Sequence, residues 1–337
     1  MSFWKKLPHP IMVLAPMADV TDVSFRRIIA KYGKPDVMWT EFVSADGLAL
    51  APEEGKRKLL KSLEYDESER PIVAQFFGSN PATMYEAGKL AVRLGFDGAD
   101  INMGCPDKSI MKQKAGAALI KNPALARELI QALRRGAQEE CQKLGKRMIG
   151  ISVKTRVGYS KPDELKKWVT ELLSENLDAL IIHARTMKEM SKVPARWEHV
   201  KEVVEIRDEI QKGKPDKTLI LGNGDVVDLK DAKEKVGAAG ADGAMLGRAI
   251  FGNPWLFNDT PLSEISKEQK LSAMIEHTKL FEELLGDVRN FALMKKHYKA
   301  YVNGFDGAKE LRIELMEANS ASEIEEILKD SKSLTEK

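Results

Sequence analysis

Cysteine is scarce in this chain: Cys105 and Cys141 are the only two among 337 residues. Two thiols build neither a disulfide framework nor a four-cysteine metal site, and no metal is expected; the scarcity fits a reducing compartment. Long apolar runs are also missing, since no stretch approaches the ~18 residues of a membrane span. The opening Met1-Ser2-Phe3-Trp4-Lys5-Lys6-Leu7-Pro8 has neither the apolar centre nor the small-residue cleavage site of a secretory signal. A soluble, cytoplasmic protein is expected, with no membrane and no obligate protein partner. Charge of one sign is lacking too: 53 Lys and Arg face 51 Asp and Glu. Bulk charge therefore gives no argument for nucleic acid and leaves only a local basic face as a route to one. Finally, the first apolar run ends in Leu14-Ala15-Pro16-Met17 rather than a Gly-x-Gly-x-x-Gly turn, which counts against a doubly wound dinucleotide-binding sheet.

What is present is a globular composition, 43% apolar and 31% charged, at a length that suits one barrel-sized domain and a small appendage. Apolar, β-branched runs recur at 11–15, 37–42, 71–76, 98–103, 149–155, 178–183, 218–221 and 242–246. Helical patterns lie between most of them, at 22–32 with Thr21 as N-cap, and at 81–94, 123–144, 163–175, 197–211 and 229–239. Strand and helix alternating in this way predict a parallel sheet with right-handed crossovers, closed as a (β/α)8 TIM barrel over 1–258. From 263 to 331 the texture is helical, with Met274, His277, Phe281 and Leu284 on one face, which predicts a small C-terminal all-helical domain. Residues 332–337 read as a frayed tail.

Strand ends of a barrel converge on one mouth, so their residues are read together. They are Pro16 and Met17, Thr40 and Glu41, Gln75, Asn102 and Cys105, Lys154 and Arg156, His183 and Arg185, Asn223-Gly224-Asp225, and Gly247-Arg248. Glycine-rich turns after the last two strands, with Arg248 beside them, suit a phosphate; the alternative is that the glycines only make tight turns. A lysine in a barrel mouth needs an anion, so Lys154 either faces an electron-rich ligand, for which a flavin fits, or pairs with Glu41 or Asp100. His183 reads equally as a satisfied buried histidine or a ligand contact, and Arg185 favours the ligand. Gly104 and Pro106 set Cys105 on a stiff turn past a strand end, as a reactive thiol or an inert buried one.

These pieces resemble one known family, the tRNA-dihydrouridine synthases. The likeness rests on Ala15-Pro16-Met17, Thr40-Glu41, Gln75-Phe76, Asn102-Met103-Gly104-Cys105-Pro106, Gly116-Ala117-Ala118-Leu119, Val153-Lys154-Thr155-Arg156, His183-Ala184-Arg185-Thr186, Gly222-Asn223-Gly224-Asp225 and Gly247-Arg248-Ala249, in family order. The resemblance implies reduction of a uridine in tRNA to 5,6-dihydrouridine, with FMN bound and NADPH as reductant. It implies that Pro16, Met17, Gln75, Lys154, His183, Asn223, Gly224, Asp225, Gly247 and Arg248 hold FMN, that Cys105 donates the proton, and that Asn102 contacts the flipped base. Lys108, Arg185, Lys296, His297 and Arg312 would meet tRNA, the last three from the helical tail. The chain departs from the family pattern at Ala184, which replaces a Gly, and along 187–197, Met-Lys-Glu-Met-Ser-Lys-Val-Pro-Ala-Arg-Trp. A flavin barrel acting on a free small molecule, such as a pyrimidine or enone, shares the flavin residues but has no need of the tail.

Overall fold

The structure, a computed structural model, describes residues 2–335. Its core is a ring of parallel strands: β1 Ile11–Leu14, β2 Met38–Trp39, β3 Ile72–Phe77, β4 Gly98–Met103, β5 Gly150–Arg156, β6 Ala179–His183, β7 Leu219–Asn223 and β8 Gly243–Leu246. β1 pairs with β8 in register Ile11 to Gly243. On its other side, Leu14 N–H donates to the Val37 carbonyl at 3.2 Å and Asp36 N–H to that of Met12 at 2.9 Å. These bonds close the ring, so the TIM barrel is the observed fold. A two-residue ladder, Val43–Ser44, adds to the end of β3.

Strands enclosed on both faces are mostly apolar, and β1 and β4 are buried throughout, with Asp100 and Asn102 as the polar members of β4. The bottom of the barrel is plugged by the turn Phe3–Lys6. Its Trp4 is 1% exposed, lies 5.8 Å from Trp39, and sits where a side chain at Gly150 would strike it at 2.8 Å. With that end filled, chemistry is left to the carboxyl ends of the strands.

Helices α1 Val23–Tyr32, α2 Pro81–Arg93, α3 Pro123–Lys143, α4 Leu165–Leu173, α5 Glu198–Ile210 and α6 Leu229–Ala239 wrap the ring. The N-cap of α1 is Asp22, which accepts from Phe25 N–H, rather than Thr21. Thr21 is used otherwise: its hydroxyl accepts from Met17 N–H at 2.9 Å and closes the loop after β1. Helices Ala45–Leu50 and Glu53–Lys61 fill the β2–β3 connection, where no helix was expected. The second of them buries no residue, so it carries little core signal.

The tail folds as α7 Lys267–Leu285, α8 Lys295–Tyr301, α9 Ala308–Glu317 and α10 Ala321–Thr335. The helix α10 thus extends into the stretch 332–337 as far as Thr335, and 336–337 lie outside the described residues. The tail is joined to the barrel by a common core. Phe25 of α1 is fully buried with its ring centroid 4.8 Å from those of His277 and His297, and Gly252 leaves no room for a side chain against Ala300. Arg289 reaches back to Glu41, donating to its two oxygens at 3.2 and 2.6 Å.

Candidate active site

A cleft of about 810 Å³ opens at the carboxyl ends of the strands. Of the residues expected to face a cofactor, Pro16, Met17, Lys154, His183, Asn223, Gly224, Asp225, Gly247 and Arg248 line it, together with Asn102, Cys105 and Arg185. Gln75 does not. It is buried in β3, its amide spanning Asp100 and Asn102.

The thiol loop is held from several sides. Asn102 Oδ1 accepts from Gly104 N–H and Cys105 N–H, the Cys105 carbonyl accepts from Ala117 N–H at 3.0 Å, and Arg156 Nε donates to the Gly104 carbonyl at 2.7 Å. Gly116 adopts φ +59, and a Cβ there would lie 2.8 Å from the Cys105 carbonyl oxygen. Burial pushes the Cys105 thiol above its ordinary value, outweighing the opposing hydrogen bond from the Asp107 backbone N–H and the pull of Arg156 and Lys154. At neutral pH it is therefore a protonated, half-buried acid facing the cleft.

Opposite it, Lys154 Nζ donates to Asn223 Oδ1 at 3.2 Å, while Asn223 Nδ2 donates to the Met245 carbonyl at 2.8 Å. Among the described residues no carboxylate pairs with this lysine: Glu41 is taken by Arg289, and Asp100 is bonded to Gln75 and Ser152. Burial, then the nearby Arg156, draws Lys154 down to about 8. His183 is held well below its usual value by burial and by the surrounding cations. Its Nε2 lies 3.3 Å from Arg185 Nη1, and a guanidinium only donates, so the neutral ring carries its proton on Nδ1. Ala184 is fully buried in the core between strands and helices and takes no space from the cleft.

Asp225 binds both Arg185 and Arg248, the latter at 2.8 Å, and hydrogen bonding to Arg185 holds its carboxyl below the usual range. Arg185 is 3% exposed and also donates to the Val193 carbonyl at 2.6 Å. It therefore supports the cleft wall and the 187–197 loop while lining the cleft. Nothing in the chain's pattern marked Met190 and Val227, exposed apolar residues on the rim; Met190 sits at φ 52 in the divergent loop. The cleft thus sets Lys154, Arg156, Arg185 and Arg248 against the single carboxylate of Asp225 in its lining, with the Cys105 thiol facing it.

A family model described as dihydrouridine synthase matches residues 13–336. The chain belongs to the dihydrouridine synthase family. Probable tRNA-dihydrouridine synthase 2 of Bacillus subtilis (strain 168) is 39% identical over 98% of this chain and 96% of its own length. A probable tRNA-dihydrouridine synthase of Staphylococcus aureus (strain COL) is 38% identical over 97% and 94%. Among solved structures, histamine dehydrogenase from Rhizobium sp. 4-9 shares the fold alone, with a TM-score of 0.50 at 11% identity over 80% of this chain and 48% of that one.

In this dihydrouridine synthase the tail residues expected to grip RNA are engaged elsewhere. His297 is 1% exposed, packed among Phe25, Phe251 and His277, and cannot reach a nucleic acid from there. Arg312 donates to the Val302 carbonyl at 2.8 Å and Lys296 to that of Asp19 at 2.6 Å, so both brace the fold. Lys108 is different. It is exposed beside the thiol loop, and Lys112, Lys114, Lys121, Lys188 and Lys192 are exposed as well. Lys121 lies over the Tyr159 ring, whose backbone carbonyl accepts from Lys188 N–H.

Proposed function

We propose that the cleft holds FMN, takes its reducing power from NADPH, and reduces one uridine of a tRNA to 5,6-dihydrouridine with Cys105 as the proton donor. The fit to FMN rests on the half-buried Lys154, an ammonium whose bonded partner is an amide rather than a carboxylate, and on the excess of cations around it. Lys154, His183 and Asn223 would hold the planar part, and the turns Gly224–Asp225 and Gly247–Arg248 the phosphate, with Pro16 and Met17 as an apolar wall. When bound, FMN supplies the hydride for one carbon of the uracil 5,6 double bond.

The other carbon needs a proton, and Cys105 holds one. Its loop is fixed by Asn102, Arg156 and Ala117, so the thiol does not have to be ordered during turnover. A thiol needs no partner to serve as an acid at neutral pH, whereas a nucleophilic Cys needs activation that burial here opposes. After donation, Arg156 and Lys154 stabilise the thiolate. The base must leave its stack to enter, at a cost of a few kcal/mol, and the exposed lysines from Lys108 to Lys192 offer phosphate contacts that offset it. A reducing cytoplasm keeps the thiol available. The helical tail enlarges the face presented to tRNA, which a reductase of free pyrimidines would not require.

The protonated thiol facing Lys154 across the cleft carries this reading. In Cys105→Ala, FMN binding and reduction by NADPH are expected to persist, while single-turnover oxidation of the reduced enzyme by tRNA slows by roughly 100- to 10,000-fold. Equal rates for variant and wild type would remove Cys105 from the chemistry.

A further inference from the structure

The divergent loop 187–197 ends on an indole that does not reach the cleft. Trp197 is 9% exposed, stands immediately before α5 and is not part of the cleft lining. The start of the helix fixes its backbone, the Trp197 carbonyl accepting from Val200 N–H at 3.0 Å and Lys201 N–H at 3.1 Å. The indole lies behind the end of β7, where Gly222 leaves it room: a Cβ on Gly222 would strike the ring at 2.2 Å. From there its Nε1 donates to the Gly224 carbonyl at 2.9 Å.

That bond decides which way a peptide group of the glycine turn faces. Gly224 takes φ +122, and a side chain there would crowd Ala195 at 2.8 Å and His183 at 3.1 Å, so only glycine fits. Asp225 follows at φ 48, which a non-glycine residue keeps only when its surroundings impose it. They do: its carboxylate accepts from Ala195 N–H at 2.9 Å and pairs with Arg185 and Arg248. In a trans peptide the carbonyl and the next N–H point in opposite directions. With the Gly224 carbonyl turned outward to the buried indole, the Asp225 N–H is turned toward the cleft, which both residues line. Among the described residues that N–H has no hydrogen-bond partner.

We propose that Trp197 is a positioning residue for the anion: its indole holds the Gly224 carbonyl on the outer side of the turn and so keeps the Asp225 N–H aimed at a bound phosphate. This role rests on FMN placing its phosphate at the turns Gly224–Asp225 and Gly247–Arg248. It gives the end of the divergent loop a task on the cofactor side of the cleft.

Flavin binding to the FMN-free protein tests this, with FMN and riboflavin compared because they differ only in the phosphate. Each Kd is read from the quenching of flavin fluorescence, and the ratio of the two isolates the phosphate. Trp197→Phe keeps an aromatic ring and loses the donor. Its affinity for FMN should fall by roughly 10- to 100-fold, as for one charge-assisted hydrogen bond, while that for riboflavin stays within about twofold. The smaller ring also leaves a gap beside Gly222, which Trp197→Phe/Gly222→Ala fills with a methyl group. The double variant should regain thermal stability lost in the single but not the preference for FMN, which a packing role alone would restore.

A wild-type FMN-to-riboflavin ratio in Trp197→Phe overturns the role of the indole, as does a double variant that regains both stability and ratio. A wild type that binds riboflavin as tightly as FMN overturns the phosphate assignment itself, and the role of Trp197 with it. If Trp197→Phe does not fold, a folded double variant with a lowered ratio supports the proposal. A folded double variant with the wild-type ratio, or one that does not fold either, overturns it.

Discussion

The cleft and the seam between barrel and tail both bury cations, yet they treat them in opposite ways. At the seam, Arg289 meets Glu41 through both carboxylate oxygens, and the two side chains are 15% and 6% exposed. In the cleft, among the described residues, Lys154 is bonded to the Asn223 amide oxygen alone. A closed pair is a finished structural contact. A buried ammonium without an anion is a binding site for one. The same contrast holds for histidine: His183 faces the cleft, whereas His277 and His297 are sealed among aromatic rings, with His277 lowered to about 3 by burial alone.

This contrast can be broken by experiment, most severely at the seam. Ending the chain before Ser263 strips the cover from Phe25 and its neighbours, so the expected product is insoluble or molten, read by sedimentation and near-ultraviolet dichroism. A soluble, cooperatively folding fragment would show that barrel and tail are independent. Arg289→Ala leaves Glu41 buried without its partner and should cost about 3–5 kcal/mol in denaturant unfolding, while Arg289→Met/Glu41→Gln should recover most of it. A loss below about 1 kcal/mol would class the pair with ordinary surface bridges.

In the cleft the expected effects are smaller and have the opposite sign. Lys154→Met should release FMN yet stabilise the FMN-free protein below about pH 8. Folding depresses this lysine from 10.5 to about 8, so between those values the unfolded chain binds more protons than the native one. Its contribution to stability therefore rises with pH across that window and is least favourable below it. Thermal melts of wild type and variant should converge toward pH 10.5, and parallel curves would mean that Lys154 is not desolvated. The mildest change is Lys108→Gln or Lys192→Gln. Each should weaken tRNA binding modestly and reduce its logarithmic salt slope by about 1, with no effect on flavin content. An unchanged slope would place the RNA elsewhere.

How much of this was legible beforehand differs between backbone and side chain. Recurring apolar runs separated by helical patterns gave the barrel, since a strand enclosed on both faces is apolar along most of its length. Asn102-Met103-Gly104-Cys105-Pro106 marked the thiol turn, because an amide, a glycine and a proline at that spacing restrict the backbone locally. The helices 45–50 and 53–61 escaped because they are short and touch the core through few apolar side chains, chiefly Ala45, Leu48 and Leu59. Gln75, Arg185, His297 and Arg312 share one feature that their residue types do not disclose, namely partners within the protein itself. Residue type states which hydrogen bonds a side chain is able to make, but not whether the protein already makes them.

The sequence by itself determined the order of strands and helices, the turn that carries Cys105, and the family. Only the tertiary structure decided which polar groups stay open to a ligand. Residues far apart in the chain, such as Glu41 and Arg289 or Gln75 and Asp100, satisfy one another on folding. Lys154 is left bonded to a single amide oxygen, and burial rather than sequence position is what turns that ammonium into a site for an anion.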